Sequence, residues 1–392
     1  MTWRTSLSVK NASLPYNCGM NDFAAVCPPL SLPAHTRACH VLLPFSLPPA
    51  ELARDLLRDL SMPACQTLLS HARQHALPAA PDYARCLPHE AQLWQALFGP
   101  ACHALPAATL AAHWGAAGAQ DANAAWFVLS PVYLHIARDH LVLTDARQLA
   151  LSEEHARALF ASAQTLLQEE GLVLHWGDAR HWLLRADAWR ELDCASLDAA
   201  CGHNIEIWLP KHAASQTERR WRKLQNEIQM AWFADPVNEA RQESGLPPVN
   251  ALWLWGGAAQ PLQAQAPALQ VRQGDALLQA LAACTPPNSA NLLLLDDSLS
   301  QHALAGDWGS WRAAFAALEA SLFAPLLQQA AGRAIRLVLC DERQAQVWEY
   351  QSWRRMCFWR RPDWRSLLRA LPQNTRAPIA PPAPGADVRD VL

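Results

Sequence analysis

Residues 221–257 read WRKLQNEIQMAWFADPVNEARQESGLPPVNALWLWGG, and the order of elements inside them decides the fold class. Leu224, Ile228 and Trp232 recur at i, i+4 and i+8, the apolar stripe of an amphipathic helix spanning 217–233. Asp235-Pro236 breaks that helix, and Leu246-Pro247-Pro248 breaks the chain again. Ala251-Leu252-Trp253-Leu254-Trp255 then reads as an apolar strand running into Gly256-Gly257. The same alternation continues downstream, with helices at 274–283, 308–329 and 363–371 and strands at 291–295, 335–340 and 346–350. Leu292-Leu293-Leu294-Leu295 shows no polar alternation, as expected of a strand covered by helices on both faces.

Working outward toward the N-terminus, His40–Phe45 supplies a first short strand, followed by helices at 51–57, 64–74 and 90–98. From residue 125 the texture turns β-rich. Short runs at 126–129, 133–137 and 141–144 include a hairpin turn through Arg138-Asp139-His140, and 172–176 with 182–184 reads as a second hairpin through Gly177-Asp178. One strong helix, 153–169, stops at Gly171, and a further strand is expected at 205–209. The expectation is an α/β fold, a mixed sheet with flanking helices and a β-rich inserted subdomain. Its divisions are an irregular extension at 1–37, a first part of the α/β core at 38–124, the β-rich subdomain at 125–210, a second α/β region at 211–376, and a disordered Pro/Ala-rich tail at 377–392.

Composition narrows the function classes. At 392 residues the chain is long enough for two domains, and with 51% hydrophobic and 17% charged residues it can bury a large core. A net charge of -3 leaves no bulk field for nucleic acid or an acidic membrane surface. The basic charge is almost entirely arginine, with lysine only at positions 10, 211 and 223. Eighteen tryptophans against four tyrosines mean many indole N–H groups that need acceptors once buried. Eleven scattered cysteines without a Cys-x-x-Cys pair fit neither a zinc site nor a disulfide framework, which points to free thiols in a reducing cytoplasm. No apolar run reaches the ~18 residues of a membrane span, and the start has no basic-then-apolar leader.

The segments Pro236-Val237-Asn238-Glu239-Ala240-Arg241, Gly245-Leu246-Pro247-Pro248-Val249-Asn250 and Leu252-Trp253-Leu254-Trp255-Gly256 resemble part of the archaeal-type, cofactor-independent phosphoglycerate mutases of the alkaline phosphatase superfamily. Over about 38–372 the chain also resembles a proteobacterial group of RpfE-type regulatory proteins. Ser130-Pro131-Val132-Tyr133-Leu134, Leu209-Pro210, Asn226-Glu227-Ile228-Gln229-Met230 and Phe358-Trp359-Arg360-Arg361 carry that likeness. The resemblance implies an alkaline-phosphatase-like core. In its active members it implies a Ser or Thr nucleophile held against two divalent metals by Asp and His ligands.

The residues needed for that chemistry are mostly missing. The first strand ends Leu43-Pro44-Phe45-Ser46, so Ser46 is the sole hydroxyl candidate there and has no acidic neighbour. Asp296 and Asp297, after the Leu292–Leu295 run, are metal candidates at the carboxyl end of a strand, and Asp341-Glu342 has the same placement; capping of the next turn is the plainer reading for both pairs. His203 stands out among isolated histidines. Asn238, Arg241 and Asn250 are the ligand candidates, since a guanidinium binds phosphate or carboxylate through a fork and two amides would orient it. Trp353, Arg354, Arg355, Trp359, Arg360 and Arg361 are the candidates for a partner surface. The leading expectation is a cytoplasmic, non-catalytic or residual phosphoglycerate-mutase-like protein with a regulatory or partner-binding role, a protein partner or a phosphorylated small-molecule ligand, and no cofactor assigned. A metal-dependent phosphomutase or phosphatase using Mn²⁺ or Zn²⁺ is the alternative, and a nucleic-acid accessory protein the second.

Overall fold

The computed structural model describes residues 28–138, 140–212, 215–258, 264, 267–356 and 363–371. Most of the expected N-terminal extension, the tail, and Trp359, Arg360 and Arg361 therefore lie outside the described residues. The strands are β1 (Ala38–Leu43), β2 (Ala72–Ala76), β3 (Trp126–Val132), β4 (Leu134–Ala137), β5 (His140–Leu143), β6 (Val173–Trp176), β7 (Trp182–Arg185), β8 (Ala251–Ala258), β9 (Ala268–Arg272), β10 (Asn291–Asp296), β11 (Ala334–Cys340) and β12 (Ala345–Tyr350).

They form the expected mixed α/β architecture. A six-stranded sheet runs β2-β12-β11-β1-β10-β9. Strands β9, β10, β1 and β11 are parallel, and the β11–β12 and β12–β2 pairs are antiparallel. The N-terminal strand thus sits between two C-terminal ones, with Val41 opposite both Leu294 and Leu337. The leucine run behaves as its composition requires. Leu292 and Leu294 enter the core on one face, while Leu293 and Leu295 enter the core on the other.

The second sheet is antiparallel, order β6-β7-β3-β8, and β4–β5 is a separate hairpin. Both hairpins expected from the turn signals are present. Its pleat also divides two cores. Phe127, Leu129, Leu252 and Leu254 pack under the helices Glu153–Glu169 and Ser215–Phe233, whereas Trp126, Val128, Trp253 and Trp255 face a core shared with the six-stranded sheet. Between the sheets lie the helices Pro88–Phe98, Ala107–His113 and Ala276–Ala283.

Several expectations need correction. The strand that opens the C-terminal α/β region in the sequence reading, β8, pairs with β3 of the antiparallel sheet rather than with the six-stranded one. The helix expected over 64–74 stops at Ser70, and 72–76 becomes the edge strand β2, which periodicity over so short a run does not distinguish. Ile205–Ile207 is a 3₁₀ turn rather than a strand. Strand β9 had no expectation at all. Gly256 and Gly257 form a bulge opposite Phe127: both have positive φ, and a side chain at Gly256 would meet the Leu105 carbonyl at 3.2 Å. Among the described residues no helix is long and apolar enough to cross a membrane.

The helix expected at 308–329 contains a π-helical turn at Glu319–Phe323. Glu319 accepts the Ala64 and Cys65 N–H groups at 2.7 and 3.1 Å, capping the helix Pro63–Ser70 from a distant segment. Glu319→Ala is expected to destabilise the fold by ~1 kcal/mol, the typical loss on removing an N-terminal cap, read as a lower urea midpoint at unchanged m-value.

Candidate functional site

Parallel α/β sheets bind ligands beyond the carboxyl ends of strands, where the chain order reverses. Here β10 and β11 flank β1, and a cleft of ≈ 80 Å³ opens beyond the ends of β1 and β10. Pro44, Leu295 and Asp297 line it from the six-stranded sheet, Ser130 and Trp255 from the antiparallel sheet, and Glu90, Arg147, Asp198 and Asp275 from the helices and turns between.

The turn after β1 is strained. Phe45 has a φ of 50°, the left-handed region that a bulky side chain seldom enters. Three contacts hold it: Trp311 Nε1 donates to the Phe45 carbonyl at 2.8 Å, the Ser46 hydroxyl donates to the Leu43 carbonyl at 2.6 Å, and the Leu47 N–H reaches Cys340 O at 3.1 Å. Ser46 is completely buried in this turn, so its hydroxyl braces the backbone and is not presented as a nucleophile.

Arg147 dominates the electrostatics. It sits in the turn Ala146–Leu149, and its guanidinium clamps Asp198 bidentately, with Nη1–Oδ1 2.9 Å and Nη2–Oδ2 2.7 Å, while Nη1 also reaches Asp145 at 3.0 Å. Burial pushes the Asp198 carboxyl up, but the Arg147 charge more than reverses this and leaves it below the ordinary value. A second charged group lies alongside. His181 Nδ1 pairs with Asp178 at 2.9 Å, and its Nε2 lies 3.6 Å from Asp275, which also meets Arg180 at 3.4 Å and caps the helix Ala276–Ala283.

Among the described residues Glu90 and Asp297 are in no ion pair. Glu90 Oε2 accepts the Leu87 N–H at 2.7 Å and the Ser196 hydroxyl at 2.6 Å. Burial, and then the Asp198 carboxylate, push it up to about 8. Asp297 accepts the Ser300 hydroxyl, and burial pushes it up to about 7 against the pull of Arg147. His89 is buried against Phe45, with ring centroids 5.5 Å apart, and burial lowers it to about 4. Its Nδ1 has no hydrogen-bond partner among the described residues.

The sequence candidates are distributed differently. Asp296 and Asp297 are adjacent and diverge. Asp296 is buried in an ion pair with Arg272 at 3.2 Å, and Arg272 also donates to Pro28 and Ser321 carbonyls on the helix-covered side of the sheet. Only Asp297 faces the cleft, so the two do not form a metal pair. Asn238, Arg241 and Asn250 lie outside the cleft lining and bond backbone groups, while the buried Arg241 Nη1 has no partner among the described residues. Asn238 bonds Trp232 O, Val249 O and Val249 N at 2.8 Å each; Arg241 donates to Pro247 O at 3.0 Å and Leu149 O at 2.5 Å; Asn250 brackets Leu134 N and O at 2.8 Å. Asp341 closes the β11–β12 turn by accepting Arg343 and Gln344 N–H groups, and exposed His203 packs beside Trp208. Of the partner-surface candidates, Trp353 is 58% exposed and Arg354 lies 5.4 Å over its ring, while the Arg355 side chain lies outside the described residues.

Reasoning from sequence missed His89, Glu90, Arg147, Asp198 and Asp275. Each is a lone polar residue with a local explanation, such as the Glu90 and Asp275 bonds to helix N-termini. Only the chain's topology brings them together. Among the described residues no three His, Cys, Asp or Glu side chains are grouped as a metal would require. Ser46 turned inward, Asp296 ion-paired to Arg272, and Asp198 clamped by Arg147 do not fit a two-metal phosphoryl-transfer centre.

No protein-family model matches the chain, and no curated protein matches it in sequence. Among solved structures it is similar to the PH0037 protein from Pyrococcus horikoshii, with 11% identity and a TM-score of 0.45 over 80% of this chain and 88% of that one. It is also similar to the cofactor-independent phosphoglycerate mutase from Thermoplasma acidophilum, with 13% identity and a TM-score of 0.38 over 80% of this chain and 89% of that one. Both likenesses are too loose to bear on activity.

The raised Asp297 carboxyl fixes a pH dependence. An unfolded aspartate titrates near ~3.9, so between there and about 7 the folded chain holds a proton the unfolded chain has lost. Stability at this group is therefore present at low pH and lost as pH rises through that window. Asp297→Asn is expected to gain on the parent in thermal midpoint from pH 5 to pH 8; parallel curves would contradict it. Arg147→Met leaves Asp145 and Asp198 buried without a cation and is expected to cost about 3–5 kcal/mol in denaturant unfolding.

Proposed function

We propose that this chain is a non-catalytic, phosphoglycerate-mutase-like protein that binds a small polar ligand beyond β1 and β10 and acts in the cytoplasm through a protein partner. One observation carries the reading. At the carboxyl ends of the strands, the groups that phosphoryl transfer would need are committed to one another. Ser46 braces its own turn, Asp296 neutralises Arg272, and Asp198 and Asp145 neutralise Arg147. A strained turn and the unpartnered His89 Nδ1 lie at the same place, as a pocket kept for binding requires. The exposed Trp353, backed by Arg354, is the surface this reading assigns to the partner.

The test is a thermal-shift titration with Mn²⁺ and Zn²⁺, run beside an assay for interconversion of the two monophosphoglycerates. A ligand at a hundredfold its dissociation constant stabilises by ~2.7 kcal/mol, a shift of at least ~1–2 °C for a chain of this size. Neither a saturable shift nor turnover is expected. A saturable shift abolished by Asp297→Ala, together with metal-dependent turnover, would overturn the reading.

A further inference from the structure

We propose that the cleft binds an organic cation, an ammonium or guanidinium group carried on a short apolar chain, with Asp297 and Glu90 as its counter-charges. This rests on the reading of the cleft as a ligand site and names the ligand class.

Charge balance is the first argument. The lining carries the carboxyl groups of Glu90, Asp198, Asp275 and Asp297 against the guanidinium groups of Arg147 and Arg180. Arg147 is committed to Asp198 and Asp145, and Arg180 and His181 to Asp275. Among the described residues, Asp297 and Glu90 have hydroxyl or backbone donors but no ion pair. A phosphate or carboxylate placed here would meet two carboxyl groups and no uncommitted cation. A bound cation supplies what they lack, and its arrival favours their ionised forms.

His89 gives the second, independent argument. It lines the cleft, is 6% exposed, and its Nδ1 is buried with no partner among the described residues. A buried polar atom left unpaired is costly unless something visits it. Burial keeps this imidazole neutral at pH 7, so the ring nitrogen without the proton is an acceptor for a ligand N–H. The third argument is the remaining wall. Leu93, Trp94, Leu277, Leu278 and Trp255 would cover an apolar chain, and indole faces suit a cation better than an anion.

The probes are n-butylammonium and n-butylguanidinium, with n-butylurea as the uncharged isostere and n-butyl phosphate as the anion, titrated calorimetrically into the full chain. Saturable binding of at least one cation is expected, with no heat from the urea. Asp297→Asn and Glu90→Gln are each expected to weaken it by ~10-fold, the loss of one partly buried charge pair. Asp82→Asn, on the surface beside Arg343, leaves it unchanged. Both cleft variants keep their shape and are checked for folding by circular dichroism. No cation binding, equal binding of butylurea, or affinity indifferent to both substitutions would overturn the proposal while leaving the non-catalytic reading in place. Release of inorganic phosphate from butyl phosphate with Mn²⁺ would instead overturn that reading.

Discussion

The guanidinium of Arg147, taken largely out of water, receives its counter-charge from Asp198 and Asp145. Burial first, and that clamp second, shift the carboxyl groups around it. Burial, and then the Asp198 carboxylate that Arg147 keeps ionised, push Glu90 up to about 8 against smaller pulls from its hydrogen bonds and from Arg147. Asp297 is drawn down by Arg147 and pushed up by burial and by Asp198, and settles at about 7. Carboxyl groups driven apart in this way are a recognised route to distinct acid and base roles. Here they flank a cleft whose lining arginines, Arg147 and Arg180, are already paired.

The position of the cleft follows from the sheet. The cleft lies beyond the carboxyl ends of β1 and β10, with Pro44, Leu295 and Asp297 in its lining. The turn there is held in an unfavourable conformation at Phe45 by Trp311, Ser46 and Cys340, three contacts from three different segments. Strain is maintained only where surrounding structure over-determines it. The second sheet closes the other wall through Ser130 and Trp255, whose indole N–H donates to the Ser130 hydroxyl at 2.9 Å.

Much of the fold was legible because burial on two faces writes itself into composition. The leucine run at 292–295, the Leu224/Ile228/Trp232 stripe and the two hairpin turns each led to the element observed. What failed was pairing. Nothing local distinguishes β8 as a partner of β3 from a strand of the larger sheet, since both environments demand the same apolar residues. The site was less legible for a similar reason. Asn238, Arg241 and Asn250 look like a ligand set because buried backbone brackets use the same amides and guanidinium as anion sites. Glu90 and Asp275 look like helix caps because they are caps, and their second role exists only in three dimensions.

The central claim is that the carboxyl groups beyond β1 and β10 are committed to arginines and protons rather than to metal ions. Anomalous diffraction from crystals grown with Mn²⁺ tests it most directly. The account predicts no anomalous peak within coordination distance of Asp297, with Asp198 still clamped by Arg147. A peak ligated by Asp297 and by an Asp198 rotated away from Arg147 would contradict it.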